Sequence, residues 1–427
     1  MHFTTSYATV LAVASSALAL PTVSSAGNSI VAYWGQGDTN IPLSDVCSNP
    51  NVDIVVLSFV NIFPDQSPSG WPGTNFGSSC GGQTISKPDG TATQLLDGAH
   101  CGTMIPDIAA CRAAGKKLLL SIAGGYPTDQ WLHSDISAIS FAQFLVGAFG
   151  APTASWTAAN GPRPIGNSWV DGFDFDIESN FPVAPVFDGQ SYSDAATRGY
   201  ATMANTLHDL GYLTSAAPQC ARPDVHLGPA LNSGWFDYVF VQFYNTAGCS
   251  AMDFIQGKPD SFNFNDWTSA SYVNPNTKVY IGLPASTASA NSGFYLTPTQ
   301  VHTLLSSFVS TSNFGGIMLW EATASARNLI CGNDYACQLN FICGVVYVFI
   351  DHDHVVQFLQ LICHVDIIIY PYIAHNYVLV VRSSRYFELN IVHLCFTNDY
   401  IIVIEFLCYF ELIFKLLKHL KLISELL

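Results

Sequence analysis

Eight short apolar segments recur at helix-length intervals between residues 28 and 330, and they constrain the fold more than any other feature of this 427-residue sequence. Most are rich in Val, Ile, Tyr or Phe, which is typical of buried β-strands. The segments are Ile30–Trp34, Ile54–Phe59, Lys117–Ile122, Trp169–Phe175, Tyr212–Ala217, Tyr238–Phe243, Lys278–Leu283 and Gly315–Trp320. Helix-like patterns lie between most of them, at Met104–Ala114, Ile139–Phe149, Ser193–Leu210 and Thr297–Ser310. This alternation predicts an α/β fold in which a parallel sheet closes into a (β/α)8 TIM barrel.

An open, doubly wound sheet is the alternative arrangement of the same strands. A glycine-rich phosphate-binding loop after the first strand would favour it. The residues after Trp34 are Gly-Gln-Gly-Asp, which do not make such a loop. We therefore assign residues 27–335 to a barrel.

The composition limits the classes of partner. Hydrophobic residues make up 49% of the chain, which is ample for a large core and excludes global disorder. The formal net charge is −16, so no nucleic-acid partner is expected, because such a partner needs a basic face. An uncharged polymer is among the partners that fit. Twelve cysteines indicate an oxidising compartment.

The N-terminus has the pattern of a secretory signal peptide. An apolar run from Ala8 to Leu20 is followed by the small-residue sequence Ser24-Ser25-Ala26. A first barrel helix and a membrane anchor are the alternatives, but the run is short for a bilayer span. We expect residues 1–26 to be removed and the mature protein to be secreted, either free or associated with a cell wall.

Residues 336–427 form an apolar tail of different composition. The tail contains no Gly after Gly344, and six of the twelve cysteines lie from Cys331 onward. No stretch of it reaches ~18 residues without a charge, so no membrane span is expected. One hypothesis is that the tail is a read-through or mis-spliced extension rather than a genuine domain. Peptides from beyond Cys343 in the secreted protein, found by mass spectrometry, would contradict it.

Three carboxylates share one face of the fourth predicted strand. Side chains alternate along a strand, so Asp174, Asp176 and Glu178 lie on one face and apolar residues lie on the other. In a barrel the acidic face points inward and toward the C-terminal mouth, where active sites lie. Like charges this close cannot all stay ionised, so at least one pKa should be raised. A carboxylic acid that stays protonated near neutral pH is what general-acid cleavage of a glycosidic bond requires.

Two other interpretations of these carboxylates carry less weight. The face of a solvated edge strand is disfavoured by the flanking Trp169 and Val170 and by the apolar residues on the opposite face. A cation site would need more acidic ligands, and only Asp188 and Asp194 lie nearby. We therefore predict neither a metal nor a cofactor.

The pattern D-x-x-D-x-D-x-E over residues 171–178 resembles the signature of glycoside hydrolase family 18, the chitinases and their relatives. Further segments resemble strands of its class III, hevamine-like branch of secreted plant and fungal chitinases. In chain order they are Ala32–Gln36, Ser121–Gly125, Ala216–Cys220, Phe236–Asn245 and Gly315–Trp320. The family more often has Gly where Ala123 stands. The resemblance covers about residues 28–330 and leaves the tail beyond Cys343 without a counterpart.

The resemblance implies retaining hydrolysis of β-1,4-linked N-acetylglucosamine by substrate assistance. Glu178 would protonate the glycosidic oxygen, and the acetamido oxygen of the substrate would attack its own anomeric carbon. Asp176 would hold the acetamido N–H and share a proton with the deeper Asp174. Tyr244 would donate its hydroxyl to the acetamido oxygen. Asp171 is interpreted as structural.

The same resemblance assigns residues to substrate binding and to disulfides. Tyr33, Gln242 and Trp320 would line the subsite of the reacting sugar, with Trp320 as its apolar floor. Gly124 and Gly125 would let the backbone approach the substrate closely. The implied disulfides are Cys47–Cys111, Cys80–Cys101 and Cys220–Cys249, and Cys331 and Cys337 are candidates for a fourth.

Three functions compete. The leading prediction is a secreted, monomeric endochitinase acting on chitin and chito-oligosaccharides. An endo-β-N-acetylglucosaminidase would share the carboxylate motif, although the flanking motifs favour chitin. A non-catalytic lectin or inhibitor on the same barrel commonly lacks the acid equivalent to Glu178, which is present here.

Overall fold

The computed structural model describes residues 29–37, 39–81, 85–96, 101–125, 130–178, 186–187, 190–191, 199–330 and 332–342, and short strands between 350 and 406. The predicted signal peptide lies outside these residues. So does Cys331, so the suggested fourth disulfide remains a prediction.

Eight parallel strands close into a barrel, which confirms the predicted fold class. The strands are β1 (Ser29–Trp34), β2 (Ile54–Val60), β3 (Lys117–Gly124), β4 (Gly172–Ile177), β5 (Leu213–Ala216), β6 (Tyr238–Gln242), β7 (Lys278–Pro284) and β8 (Phe314–Trp320). Each strand pairs with its neighbours in chain order, and β1 closes the barrel on β8. All eight correspond to the apolar segments identified in the sequence.

Helices lie between the strands and on the outside of the barrel. They are α1 (Leu43–Ser48), α2 (Met104–Ala113), α3 (Asp135–Phe149), α4 (Ala154–Ala158), α5 (Tyr200–Asp209), α6 (Gly228–Ser233), α7 (Ala251–Ile255), α8 (Phe264–Thr268), α9 (Pro298–Phe308), α10 (Ala322–Arg327) and α11 (Tyr335–Ile342). Local sequence explains where several of them begin. Ser134 and Ser137 form a capping box at α3, and Thr297 and Gln300 form one at α9, where Pro298 occupies the first turn.

Two apolar layers follow from the period of two along each strand. Residues such as Val31, Val56 and Phe240 fill the inside of the barrel. Alternate residues such as Ala32 and Val55 pack against the helices.

Several element boundaries differ from the prediction by a few residues, and the structure gives a local reason for two of these differences. Strand β4 begins at Gly172 rather than Trp169. The Asp171 carboxylate accepts a hydrogen bond from the backbone N–H of Leu118 at 2.9 Å, in place of a backbone carbonyl of the neighbouring strand. Helix α5 begins at Tyr200 after Gly199, which has a left-handed φ of 83°. Residues 193–198 of the predicted helix lie outside the described residues.

Three disulfides join the connections around the barrel, and they are the three pairs that the family resemblance implies. Cys47–Cys111 links α1 to α2, Cys80–Cys101 lies in the connection between β2 and α2, and Cys220–Cys249 joins the loops after β5 and β6. The last pair stabilises the carboxyl end of the barrel, next to the candidate site.

The predicted boundary at residue 335 falls inside α11. Tyr335, Ala336 and Leu339 are buried in the outer core, and the Tyr335 hydroxyl donates to the Leu296 carbonyl at 2.7 Å. Beyond α11 the described backbone consists of antiparallel strand pairs. They are Ile350–Asp351 with His354–Val355, Val365–Tyr372 with Asn376–Ser383, and Leu389–Cys395 with Ile401–Phe406. None of the helices described is both long and apolar enough to cross a membrane.

Candidate active site

Strand β4 places three carboxylates in a row from the barrel interior to its mouth. Asp174 is fully buried, Asp176 is 3% exposed, and Glu178 is half-buried just beyond the end of the strand. The alternation predicted from the sequence is therefore realised, with Phe173, Phe175 and Ile177 in the outer core. Only the last carboxylate faces the open end of the barrel.

Asp174 accepts hydrogen bonds on both of its carboxylate oxygens. Oδ2 accepts from the Ser121 hydroxyl at 2.6 Å and from the Tyr33 hydroxyl at 2.8 Å, and Oδ1 accepts from the Ser215 hydroxyl at 2.5 Å. Burial raises the pKa of Asp174, while these three hydroxyls oppose the rise. The result is a fixed, deeply placed carboxyl that solvent does not reach.

Asp176 lies between two other acids. Burial raises its pKa well above the ordinary carboxyl value, and the charges of Glu178 and Asp174 raise it further. Both neighbouring carboxyl groups therefore act on Asp176, Glu178 from the mouth and Asp174 from the barrel interior. The folded protein therefore favours the protonated form of Asp176.

Gln242 joins strand β6 to this pair. Its side-chain nitrogen donates to Asp176 Oδ1 and to Glu178 Oε1, both at 3.0 Å, and lies 3.1 Å from the Ala217 carbonyl. All three neighbours are acceptors, so the amide nitrogen must face them. The contact holds the two carboxyl groups in register at the mouth.

Tyr244 follows β6 and is 5% exposed. Burial raises the pKa of its hydroxyl well above 10.0, and the charges of Glu178 and Asp176 add to the rise. The hydroxyl therefore stays protonated. It has no hydrogen-bond partner among the described residues, so it is available as a donor beside the carboxylates.

Trp320 ends β8 and contacts two other rings. Its ring lies 5.6 Å from that of Tyr33, and it stacks on Phe59 at 6.0 Å with an interplanar angle of 24°. Tyr33 is only 1% exposed, and its hydroxyl is committed to Asp174. Trp320 is partly exposed and offers the apolar surface of this group.

The end of β3 packs closely against the site, and this explains its small residues. A Cβ on Gly125 would lie 3.0 Å from Glu178 Oε2, and one on Gly124 would lie 2.9 Å from the Phe59 ring. Ala123 has a left-handed φ of 79°, a conformation that favours glycine. The departure from the family noted at this position therefore carries a local backbone cost.

Asp171 does not join the three carboxylates. Its side chain faces α2, where Oδ1 accepts from Arg112 at 2.7 Å, and the Arg112 guanidinium lies over the ring of Trp169 at 4.0 Å. This arrangement agrees with the structural interpretation of Asp171.

Sequence reasoning missed three contributors. Ser215 is the strand partner of Asp174, as Ser121 is on the other side, so aligning the predicted strands would have found it. Phe59 stacks on Trp320 from the end of β2, and no sequence signal separates it from core residues. The buried Asp224 accepts from the backbone N–H groups of the loop after β5, and its charge adds to the raised pKa of Asp176.

The fold and the site together define a (β/α)8 barrel with inward carboxylates at the carboxyl end of its fourth strand. That is the end at which such barrels carry catalytic residues. The chain belongs to glycosyl hydrolases family 18, whose family model matches residues 29–294.

Three comparisons illustrate its relatives. The chain is 45% identical over 323 residues to Endochitinase A1 of Aspergillus fumigatus, and the aligned region covers 73% of this chain and 34% of that protein. The ICChI chitinase from Ipomoea carnea is 28% identical with a TM-score of 0.55, covering 73% of this chain and 98% of that one. The xylanase and alpha-amylase inhibitor XAIP-II from Scadoxus multiflorus is 26% identical with a TM-score of 0.54, covering 73% and 97%. The chain thus spans about a third of the length of the curated relative.

Proposed function

We propose that this protein is a secreted endochitinase that hydrolyses β-1,4 linkages between N-acetylglucosamine units with retention of configuration. The observation that carries the proposal is the bridge from Gln242 to both Asp176 and Glu178. The Tyr244 hydroxyl, which has no hydrogen-bond partner among the described residues, lies near these two carboxyl groups. The fungal relative named Endochitinase A1 supports chitin as the substrate.

Glu178 is the general acid in this proposal. It gives its proton to the glycosidic oxygen as the bond from that oxygen to the anomeric carbon breaks. The acetamido oxygen of the same sugar forms a new bond to the anomeric carbon and makes an oxazolinium ion. The attack is intramolecular, so its entropic cost is already met when the substrate binds in the right orientation. Water then gives a proton to the Glu178 carboxylate, and the remaining hydroxide attacks the anomeric carbon from the face that the leaving group left. The bond from the anomeric carbon to the acetamido oxygen breaks, so the configuration is retained.

Asp176 and Tyr244 orient the acetamido group. The Asp176 carboxyl accepts from the acetamido N–H and stabilises the positive charge that develops on the oxazolinium ion. The Tyr244 hydroxyl donates to the acetamido oxygen. Asp174 supports Asp176 from below by sharing a proton with it, and Trp320 forms the floor under the sugar ring.

The test is hydrolysis of N-acetyl-chitotetraose by the full chain and by Glu178→Gln. We expect the variant to lose about 10³-fold in kcat while it still binds the sugar. A wild type that binds but does not cleave would favour a non-catalytic lectin or inhibitor, and XAIP-II is named as an inhibitor of xylanase and alpha-amylase. A wild type with neither property would exclude chitin, and an N-glycan substrate would be tried next.

We further propose that the protein acts as a monomer outside the cell and that its partners are chitin and chito-oligosaccharides. Residues 1–26 would direct export, and the three disulfides suit an oxidising compartment. Detection of the mature chain in culture medium, with its N-terminus near Gly27, would test export.

A further inference from the structure

One loop segment joins the two sides of the candidate site. Residues 286–294 follow β7, whose neighbours in the barrel are β6 and β8. The segment starts beside Trp320, because the N–H of Ala285 donates to the Trp320 carbonyl at 2.7 Å. Asn328 fixes both of its ends, donating to the Ala285 carbonyl at 2.8 Å and to the Tyr295 hydroxyl at 3.0 Å.

Among the described residues, the side chain that holds the middle of the segment is that of Asn245, in the loop after the neighbouring strand β6. Asn245 Oδ1 accepts a hydrogen bond from the backbone N–H of Asn291 at 2.7 Å. Asn245 directly follows Tyr244 and has a left-handed φ of 62°. Asn adopts this conformation more readily than most residues, so the backbone turns sharply right after Tyr244.

The segment also packs back onto the site. Ala290 and Phe294 contact the apolar group inside the barrel that includes Tyr33, Phe59 and Tyr244. Phe294 is only half-buried, so part of its surface is exposed to solvent. Half-buried aromatic rings at the rim of a carbohydrate site give apolar surface to sugar rings.

We propose that Asn245 is a positioning residue: its bond to Asn291 holds residues 286–294 against Tyr244, so that Phe294 forms an apolar wall of the substrate cleft. This inference rests on the proposed function. In this inference Asn245 sets the orientation of the Tyr244 hydroxyl. Tyr244 makes no side-chain hydrogen bond among the described residues that could fix that orientation.

The contact suits a positioning role better than a stabilising one. Asn245 and Asn291 are both exposed, so water competes for their hydrogen bond and it contributes little to folding. Its effect is on geometry, where small displacements of a catalytic group cost much in rate.

The experiment compares Asn245→Gly with Asn245→Asp in hydrolysis of N-acetyl-chitotetraose. Glycine keeps the left-handed backbone and loses the acceptor, whereas aspartate keeps both. We expect Asn245→Gly to lower kcat about tenfold and Asn245→Asp to stay within about twofold of wild type. Asn160→Gly is the matched control, because Asn160 is exposed, has a φ of 55° and takes no part in the site. It should leave both kcat and KM unchanged.

A second pair of variants tests the wall independently. Phe294→Ala should raise KM about fivefold with little change in kcat, and Phe294→Leu should fall between it and wild type. These results stand even if Asn245→Gly does not fold. Equal kinetics for wild type, Asn245→Gly and Phe294→Ala would overturn the inference and leave the proposed function intact. A wild type that neither cleaves nor binds the tetrasaccharide would overturn both.

Discussion

The side-chain nitrogen of Gln242 lies 3.0 Å from Asp176 Oδ1, although the two residues are 66 positions apart and belong to different strands. The same nitrogen reaches Glu178, so one neutral donor serves two acids. A neutral donor contacts both acids without favouring the ionised form as strongly as the positive charge of a nearby lysine or arginine would.

Gln242→Glu should therefore be far more damaging than its similar shape suggests. It removes the donor and adds a fourth acid to the cluster, so we expect kcat on chito-oligosaccharides to fall about 100-fold. Gln242→Met is the control for loss of the donor alone and should cost less. Rates measured from pH 4 to pH 8 would check this, and equal losses for the two variants would contradict the electrostatic part of the argument.

The Asp176 carboxyl should lower the free energy of unfolding of the protein at neutral pH. Its pKa is raised in the folded protein, so the folded state binds more protons than the unfolded state above the ordinary carboxyl pKa, and stability falls as pH rises through that range. We expect Asp176→Asn to have a larger free energy of unfolding than wild type at pH 7. At pH 3, where this carboxyl is protonated in both states, the advantage should disappear. Urea unfolding at the two pH values measures both.

The same variant should lose activity. An amide cannot supply the negative charge that stabilises the oxazolinium ion, so we expect kcat to fall about 10²- to 10³-fold. For the stability prediction, an Asp176→Asn variant with a smaller free energy of unfolding than wild type at pH 7 would contradict the raised pKa of Asp176.

The fold was predictable because it depends on repeated local patterns. Eight apolar segments of strand length, separated by helix-length connections, leave few topologies, and the strand boundaries differ by only a few residues. The exception at Trp169 has a side-chain cause, since the Asp171 carboxylate replaces a backbone partner of Leu118. Such a substitution cannot be read from hydrophobic periodicity.

The site was predictable where its residues share one strand or a family motif. Asp174, Asp176 and Glu178 follow from alternation alone. The contacts that tune them come from other strands, so Ser215 requires the strand register and Phe59 requires the packing at the barrel mouth. The contacts of Gln242 with both Asp176 and Glu178 depend on side-chain rotation, which a sequence does not specify.

Asp253 should make the loop after β6 sensitive to acid. Burial opposes its ionisation, but hydrogen bonds from Lys258, Ser250 and the Gly248 N–H outweigh burial and lower its pKa from 3.8 to about 2. The folded carboxyl holds its proton less tightly than the unfolded one. Its stabilisation, about 2 kcal/mol, is therefore fully present above about pH 4 and is lost as pH falls through about 2.

Asp253→Asn should accordingly lower the free energy of unfolding by about 2 kcal/mol at pH 6 and by much less at pH 2. Asp209→Asn, at an exposed position at the end of α5, is the control and should have little effect at either pH. Urea unfolding at both pH values checks the prediction, and a loss that does not change with pH would refute it.

Ala123 offers a test of backbone strain at the site. Its φ of 79° costs an L-residue roughly 1–2 kcal/mol, and Ala123→Gly would relieve that cost. The variant also loses a buried methyl group, worth about 0.8 kcal/mol, and gains chain entropy in the unfolded state worth about 0.5–1 kcal/mol. These effects nearly cancel, so we expect Ala123→Gly to be close to neutral in urea unfolding.

Ala216→Gly separates the strain from the other two effects. Ala216 is also buried, but it lies in β5 and does not have a left-handed φ. Its replacement by Gly therefore loses a buried methyl group and adds chain entropy to the unfolded state, and it relieves no backbone strain. We expect it to be less stable than wild type by about 1.5 kcal/mol. The difference between the two variants measures the strain at Ala123, and equal losses would show that the end of β3 carries none.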